Sequence, residues 1–375
     1  MSSRPRYYLV TCVGGPSYGD ELITAGWLRY LAKHAPDAEV LVECVRPDHA
    51  WPALQGLHPG LRFTDTLWML CVEHMGKSSA EIADAVTARI GAADRPAGVA
   101  ELVGSDVVHL VGGGILNYLY PWTAGLLAGV VAATRESGGR GGMTGQGLCP
   151  QDPAFVPRLR GMAEQLTVAD ARDEPSRQLL GLDGLRVTAD DAFLSLDASH
   201  YRWTDDAPDV MVCAQSDIAP MFNGATDAAT VAASVLRTLR SWDVPGEDVG
   251  FLECFPGIDN EVHDIVKKDL PGVRFYPLMD VLDHGLPVRP GQTWISTRFH
   301  PHLMAAAAGL GGVALSVRPD YYDVKHQSLI EQGSGWVFAA LDEVPDRPVA
   351  GGFSSARVEE KRLQKIAVAR DLYGF

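Results

Sequence analysis

Twice along this chain, short runs rich in β-branched and aromatic residues alternate with stretches whose apolar residues recur at helical spacing. Strands separated by helices return parallel to one another and need cover on both faces. The alternation therefore demands doubly wound sheets. The first series begins with strand Arg6–Val13, then the helical spacing Leu22, Ile23, Trp27, Leu28, Tyr30, Leu31, then strand Glu39–Val45. Pro47–Pro59 reads as loop and Leu67–Val72 as strand. An amphipathic helix Ser79–Ile90, capped by Ser78 or Ser79, leads to strand Asp106–Val111. Helix Leu119–Thr134, strand Arg140–Thr144, helix Ala154–Gln165, strand Leu166–Ala169, helix Asp173–Leu180 and a strand from Arg186 complete it. The second series places strands at Val210–Ala214, Gly250–Glu253, Val273–Tyr276, Thr293–Ser296 and Val313–Val317. Its helices are Asp227–Ser241, Asn260–Leu270, Leu278–Leu282 and Pro301–Ala308.

Asp197–Pro208, polar and proline-bearing, separates the two series and marks a domain boundary. A chain of 375 residues is also too long for one ordinary domain. The expected fold is α/β, with two Rossmann-like domains facing a cleft. They are residues 1–200 and 208–350, with a C-terminal helix 355–375 that packs back on the junction.

Charge and cysteine usage narrow the function. The net charge is −15, from 32 basic and 47 acidic residues, which argues against a nucleic-acid or anionic-membrane partner. An anionic substrate would need a local basic pocket working against that field. The longest apolar runs, Ala124–Ala133 and Leu303–Val317, fall short of a membrane span. The first strand turns at Gly14, too soon for a signal peptide, so a cytoplasmic protein is expected. Six cysteines without a C-x-x-C read as buried free thiols, and neither a metal nor a cofactor is expected.

The chemistry concentrates at Ser296-Thr297-Arg298-Phe299-His300-Pro301. Pro301 cannot continue a strand but suits the first position of a helix. Arg298 and His300 then sit in a strand-to-helix turn, where backbone N–H groups and the helix dipole favour an anion. Arg298 adds a fork of donors matched to phosphate or carboxylate, and His300 a proton near neutral pH. Read as structure alone, the same residues are a surface ion pair and a cap. In the first domain, Gly15-Pro16-Ser17-Tyr18-Gly19 imitates a hydrolase elbow but follows the wrong strand. It reads better as a glycine turn with Asp20 as cap and Glu21 in the first helical turn, carboxylates suited to sugar hydroxyls or to base catalysis. Gly112-Gly113-Gly114 with Asn117 fails the dinucleotide pattern, and Gly76-Lys77-Ser78 lacks the context of a P-loop. Gly145-Gln146-Gly147 is a further turn, and Arg172 either faces the cleft or pairs with Asp173.

Taken together, these motifs resemble the polysaccharide pyruvyl transferase family. They are Gly19-Asp20-Glu21, Gly112 to Gly114, Gly145 to Pro150, Arg172-Asp173-Glu174-Pro175-Ser176, Asp190-Asp191, Ser296-x-Arg298-x-His300 and Tyr322-Asp323-x-Lys325. The resemblance implies an architecture similar to the GT-B glycosyltransferases. It implies transfer of a pyruvyl group from phosphoenolpyruvate to two hydroxyls of a carbohydrate-containing acceptor, closing a ketal. It assigns the donor to Ser296, Thr297, Arg298, His300 and Lys325, and the acceptor to Gly19, Asp20, Glu21, Gly113, Gly114, Asn117, Gln146 and Arg172. His300, Arg298 and Asp20 are then catalytic. The chain departs from the family at Cys213-Ala214-Gln215-Ser216, where members often carry an arginine. A glycosyltransferase using a nucleotide sugar, or a family member with another donor, therefore stays open, as does a homo-oligomer.

Overall fold

In the computed structural model, which describes residues 4–215 and 227–375, the chain divides into two compact units. The first comprises Met1–Pro16, Asp20–Leu196 and Glu360–Phe375; the second comprises Ser17–Gly19 and Asp197–Glu359.

Among its described residues the first unit is built on seven strands: β1 (Arg6–Val10), β2 (Glu39–Glu43), β3 (Leu61–Thr64), β4 (Val107–Leu110), β5 (Arg140–Gln146), β6 (Val168–Ala171) and β7 (Arg186–Val187). Their order is β3-β2-β1-β4-β5-β6-β7, and every pair is parallel. Strands covered on both faces need no polar side, and β4 (Val-Val-His-Leu) is buried throughout. Tyr8, Leu41, Val108 and Met143 fill the core. The order reverses between β1 and β4, so a crevice opens at their carboxyl ends, where ligands bind in such sheets. The glycine turns that follow β1 and β4 lie there.

Two sequence expectations fail in this unit. Thr66–Val72 is a helix, which buries Leu67, Trp68 and Cys71 on one face. The strand beside β2 is Leu61–Thr64 instead, a half-buried edge. A short apolar run fits a strand or a buried helix equally well, and here only packing separates them. Pro47–Leu54 is also a helix, with Pro47 in its first turn where the missing N–H costs nothing. The helix Ser79–Gly91 starts from a full capping box, Ser78 with Glu81. From Glu360 onward, the C-terminal helix Ser355–Tyr373 belongs to this unit. It buries Lys365 completely, 2.8 Å from both Asp170 and Asp191.

Among the described residues the second unit has eight strands: β8 (Tyr201–Trp203), β9 (Val210–Cys213), β10 (Val249–Leu252), β11 (Arg274–Tyr276), β12 (Leu286–Val288), β13 (Thr293–Ser296), β14 (Gly311–Leu315) and β15 (Val337–Ala339). Six form a parallel sheet ordered β11-β10-β9-β13-β14-β15, and β8 with β12 makes a separate two-stranded ribbon. The order reverses between β9 and β13, which sets the switch point of this unit at their carboxyl ends. The helix after β13 runs Phe299–Ala307, two residues earlier than the position of Pro301 suggests. Proline is tolerated anywhere in a first turn, because those N–H groups have no intrahelical acceptor. Arg298 is consequently the N-cap residue and His300 lies inside the first turn.

Candidate functional site

In the second unit, β13 ends in a turn that Ser296 fixes from both sides. Its hydroxyl accepts from the Arg298 N–H at 3.0 Å and donates to the Arg298 carbonyl at 2.8 Å. Arg298 is thereby aimed at Asp259, at the start of the helix Asp259–Asp269. Its Nε donates to both carboxylate oxygens at 3.0 and 3.1 Å, and its Nη2 closes a bidentate fork. Asp259 also accepts from the N–H of Cys254 at 2.8 Å and of Phe255 at 3.0 Å. Burial raises the pKa of Asp259, while Arg298 and those N–H groups act against the rise. His300 lies against Gly19 of the same unit: a Cβ added there would fall 1.8 Å from His300 Nδ1. Only glycine allows the imidazole that close.

The layer behind the turn is polar and buried. The Gln215 backbone N–H donates to the Thr297 hydroxyl at 3.0 Å, and its Nε2 to the Thr297 carbonyl at 2.9 Å. Gln215 thus props the turn at the point where the sequence showed no arginine; Ser216 lies outside the described residues. His302 Nδ1 meets His326 Nδ1 at 2.9 Å, and His302 Nε2 meets the Ser334 hydroxyl at 2.9 Å. Burial drives the pKa of both rings down, His326 to about 4, so a neutral pair backs the turn. The Lys325 ammonium lies 3.4 Å from the centroid of the Tyr321 ring. Cys213 and Cys254, far apart in sequence, bring their sulfurs to 3.4 Å. With Asp259 they offer buried ligand atoms within 4.8 Å of one another, a set that could hold a soft metal. Arg298 already claims both oxygens of that carboxylate, and burial pushes the Cys213 thiol well up, so the set suits an ion pair better than a cation.

In the first unit, the glycine turns after β4 and β5 are tied together by Asp191. Its Oδ2 accepts from the Gly112 N–H at 2.9 Å, from Trp27 Nε1 at 2.9 Å and from the Thr144 hydroxyl at 2.5 Å. Burial raises Asp191, but Lys365, His109 and these donors bring its pKa below the ordinary value. Asn117 spends its amide on its own loop, donating to the Gly114 carbonyl at 2.7 Å and accepting from the Leu119 N–H at 2.9 Å. Gln146 donates to the Val111 carbonyl at 2.7 Å, and its Oε1 is buried without a partner among the described residues. Gly113 bridges to Gln146 as an extension of the sheet. Arg172 is buried against Asp173 at 3.3 Å, the pairing the sequence allowed. Asp20 is half-buried beside Glu21, which is buried. Burial first, then the charge of Asp20, pushes the Glu21 carboxyl to about 8, and its Oε2 meets no partner among the described residues. No pattern along the chain marks Asp259, Gln215, the histidine pair or Lys365, since each acts through a partner distant in sequence.

Two units, each a parallel sheet with polar residues gathered at its strand carboxyl ends, are the architecture shared by GT-B-type glycosyltransferases and UDP-GlcNAc 2-epimerases. The chain is similar to UDP-GlcNAc 2-epimerase from Neisseria meningitidis, at 12% identity over 97% of this chain and 92% of that one, with a TM-score of 0.51. It is similar to UDP-GlcNAc 2-epimerase from Methanocaldococcus jannaschii, at 11% identity over 98% and 100%, with a TM-score of 0.52. It is also similar to the glycotransferase of kitacinnamycin, at 12% identity over 100% and 98%, with a TM-score of 0.50. Identities this low show the fold alone. The polysaccharide pyruvyl transferase family model matches residues 18–319, and the chain belongs to that family. No curated protein sequence matches this one.

Proposed function

We propose that the protein moves a pyruvyl group from phosphoenolpyruvate to two hydroxyls of a carbohydrate-containing acceptor, forming a cyclic ketal. The observation that carries this reading is the turn after β13. There an arginine oriented by a buried carboxylate and a histidine share a helix N-terminus, in a chain of this family. Arg298, the first-turn N–H groups, Ser296, Thr297 and Lys325 bind the phosphate and carboxylate of the donor. His300, as imidazolium, protonates the donor methylene carbon, and positive charge develops at the central carbon. A dianion beside it favours the protonated ring that this step requires. One acceptor hydroxyl adds to that carbon. The second displaces phosphate, so the two hydroxyl protons end on the methyl group and on phosphate or a base. Asp20 is the base, and Gly19, Glu21, Gly113, Gly114, Asn117, Gln146 and Arg172 form the acceptor site. Asn117 and Arg172 serve it through the loops they hold, because their side chains are engaged.

All six cysteines are free thiols, and no helix of the described residues is long and apolar enough to cross a membrane. Both features support a cytoplasmic setting for the reaction. Calorimetric titration of the protein and of Arg298→Ala with phosphoenolpyruvate and with nucleotide sugars tests the donor. Binding of phosphoenolpyruvate that disappears in the variant is expected. A nucleotide-sugar signal without one for phosphoenolpyruvate would replace this reading with glycosyl transfer.

A further inference from the structure

The edge of the second unit's sheet carries a cationic hollow that the transfer reaction does not use. Along β11, Arg274 and Tyr276 share one face, while Phe275 turns the other way and packs on His263 with ring centroids 4.6 Å apart. On the neighbouring strand, Gly250 pairs with Arg274, and a Cβ there would lie 2.8 Å from the Tyr276 ring. The absent side chain makes room for that ring. The ribbon strand β8 contributes Arg202, paired with Pro287 of β12. Arg202, Thr204, Asp206, Arg274, Phe275 and Tyr276 line a cavity of about 680 Å³, far larger than one inorganic anion needs.

Two guanidinium groups converge here. Burial raises the Tyr276 hydroxyl, Arg274 and then Arg202 draw it back, and Asp206 and Asp280 push it up again, so both cations lie within electrostatic reach of it together with two carboxylates. Arg274 Nη1 donates to the Asp206 carbonyl at 2.7 Å and stands 3.6 Å from a carboxylate that is 95% exposed and well screened. Its Nε is buried and meets no acceptor among the described residues. Arg202 meets no carboxylate among the described residues. The cavity is also remote from Arg298: β11 stands three strands from β13 in the sheet order, about 14 Å at ordinary strand spacing.

We infer that this cavity is a second binding site, for an anionic saccharide whose carboxylate or phosphate lies between Arg202 and Arg274 and whose ring rests on Tyr276. The aromatic face and the cavity size select a sugar over a bare ion. Thr204 and the Asp206 carboxylate can bond its hydroxyls. The inference does not depend on the donor proposed above.

Calorimetry on the full chain at low salt, with glucuronate, glucose 6-phosphate, glucose and inorganic phosphate as probes, tests it. Both acidic sugars should bind. Arg202→Gln and Arg274→Gln should each weaken them about tenfold or more, the loss of one charge-assisted contact. Tyr276→Ala should weaken the sugars and leave inorganic phosphate unchanged, and the losses in the Arg202 and Arg274 variants should persist when each is made in an Arg298→Ala background. Unaltered melting curves would show that the variants fold. The inference falls if neither acidic sugar binds, if the arginine variants bind them as the wild type does, or if glucose binds as well as its acids. It also falls if inorganic phosphate binds as tightly as glucose 6-phosphate, or if the Arg202 and Arg274 variants make no difference in the Arg298→Ala background.

Discussion

Replacing Asp259 by alanine tests the central claim about the turn, that a buried carboxylate holds Arg298 in place. The Asp259 side chain is fully buried and that of Arg298 is 12% exposed. The substitution strands a guanidinium in a poorly hydrated place and removes the acceptor from the N–H groups of Cys254 and Phe255. Breaking a buried pair from one side costs about 3–5 kcal/mol. Each stranded N–H adds about 1–3 kcal/mol, offset by whatever water enters the vacated space. A loss of about 4 kcal/mol is therefore expected in urea unfolding, together with loss of the proposed phosphoenolpyruvate binding. Asp259→Asn keeps the volume and one acceptor oxygen, so about 2 kcal/mol is expected, with affinity reduced at least tenfold. The decisive measurement is the double variant Asp259→Ala/Arg298→Met. Removing the stranded charge should make it less damaged than the sum of its parts, by about 2–3 kcal/mol. Additivity within about 0.5 kcal/mol would refute the argument, because it would mean the two groups do not sustain each other.

Three further outcomes follow from the same physics. Gly19→Ala should displace His300, since its new Cβ would fall 1.8 Å from Nδ1; phosphoenolpyruvate affinity should drop about tenfold or more, measured by calorimetry, while far-ultraviolet circular dichroism is retained. Lys365→Met leaves Asp170 and Asp191 buried without their cation, so an unfolding free energy lowered by about 3–5 kcal/mol is expected in denaturant titration, with part recovered in Lys365→Met/Asp170→Asn. His326 titrates near 4 when folded, because burial, with Lys325 beside it, opposes its charge, against an ordinary value near 6.5. The unfolded chain therefore binds the proton first as pH falls, and stability is full above about 6.5 and declines toward about 4, by at most ~3 kcal/mol for this group. Denaturant unfolding from pH 7 to 4.5 should show that decline, and His326→Gln should flatten it.

Much of this architecture is local information. The alternation of runs such as Arg6–Val10 and Thr293–Ser296 with helical spacings fixed an α/β fold of parallel sheets, because burial on both faces and helical periodicity are written residue by residue. The glycine turns and the Arg298–His300 pair were also legible, since breakers at strand ends and donors at a helix start act within a few residues of themselves. Leu67–Val72 was not, because a six-residue apolar run satisfies either period and its neighbours in space decide between them. Only tertiary structure brought Asp259 to Arg298 across 39 positions, joined the sulfurs of Cys213 and Cys254, and carried Lys365 to Asp170 across 195. Such pairs leave no pattern along the chain: folding closes the loop between them, and the low polarity of the interior then makes each partner indispensable to the other.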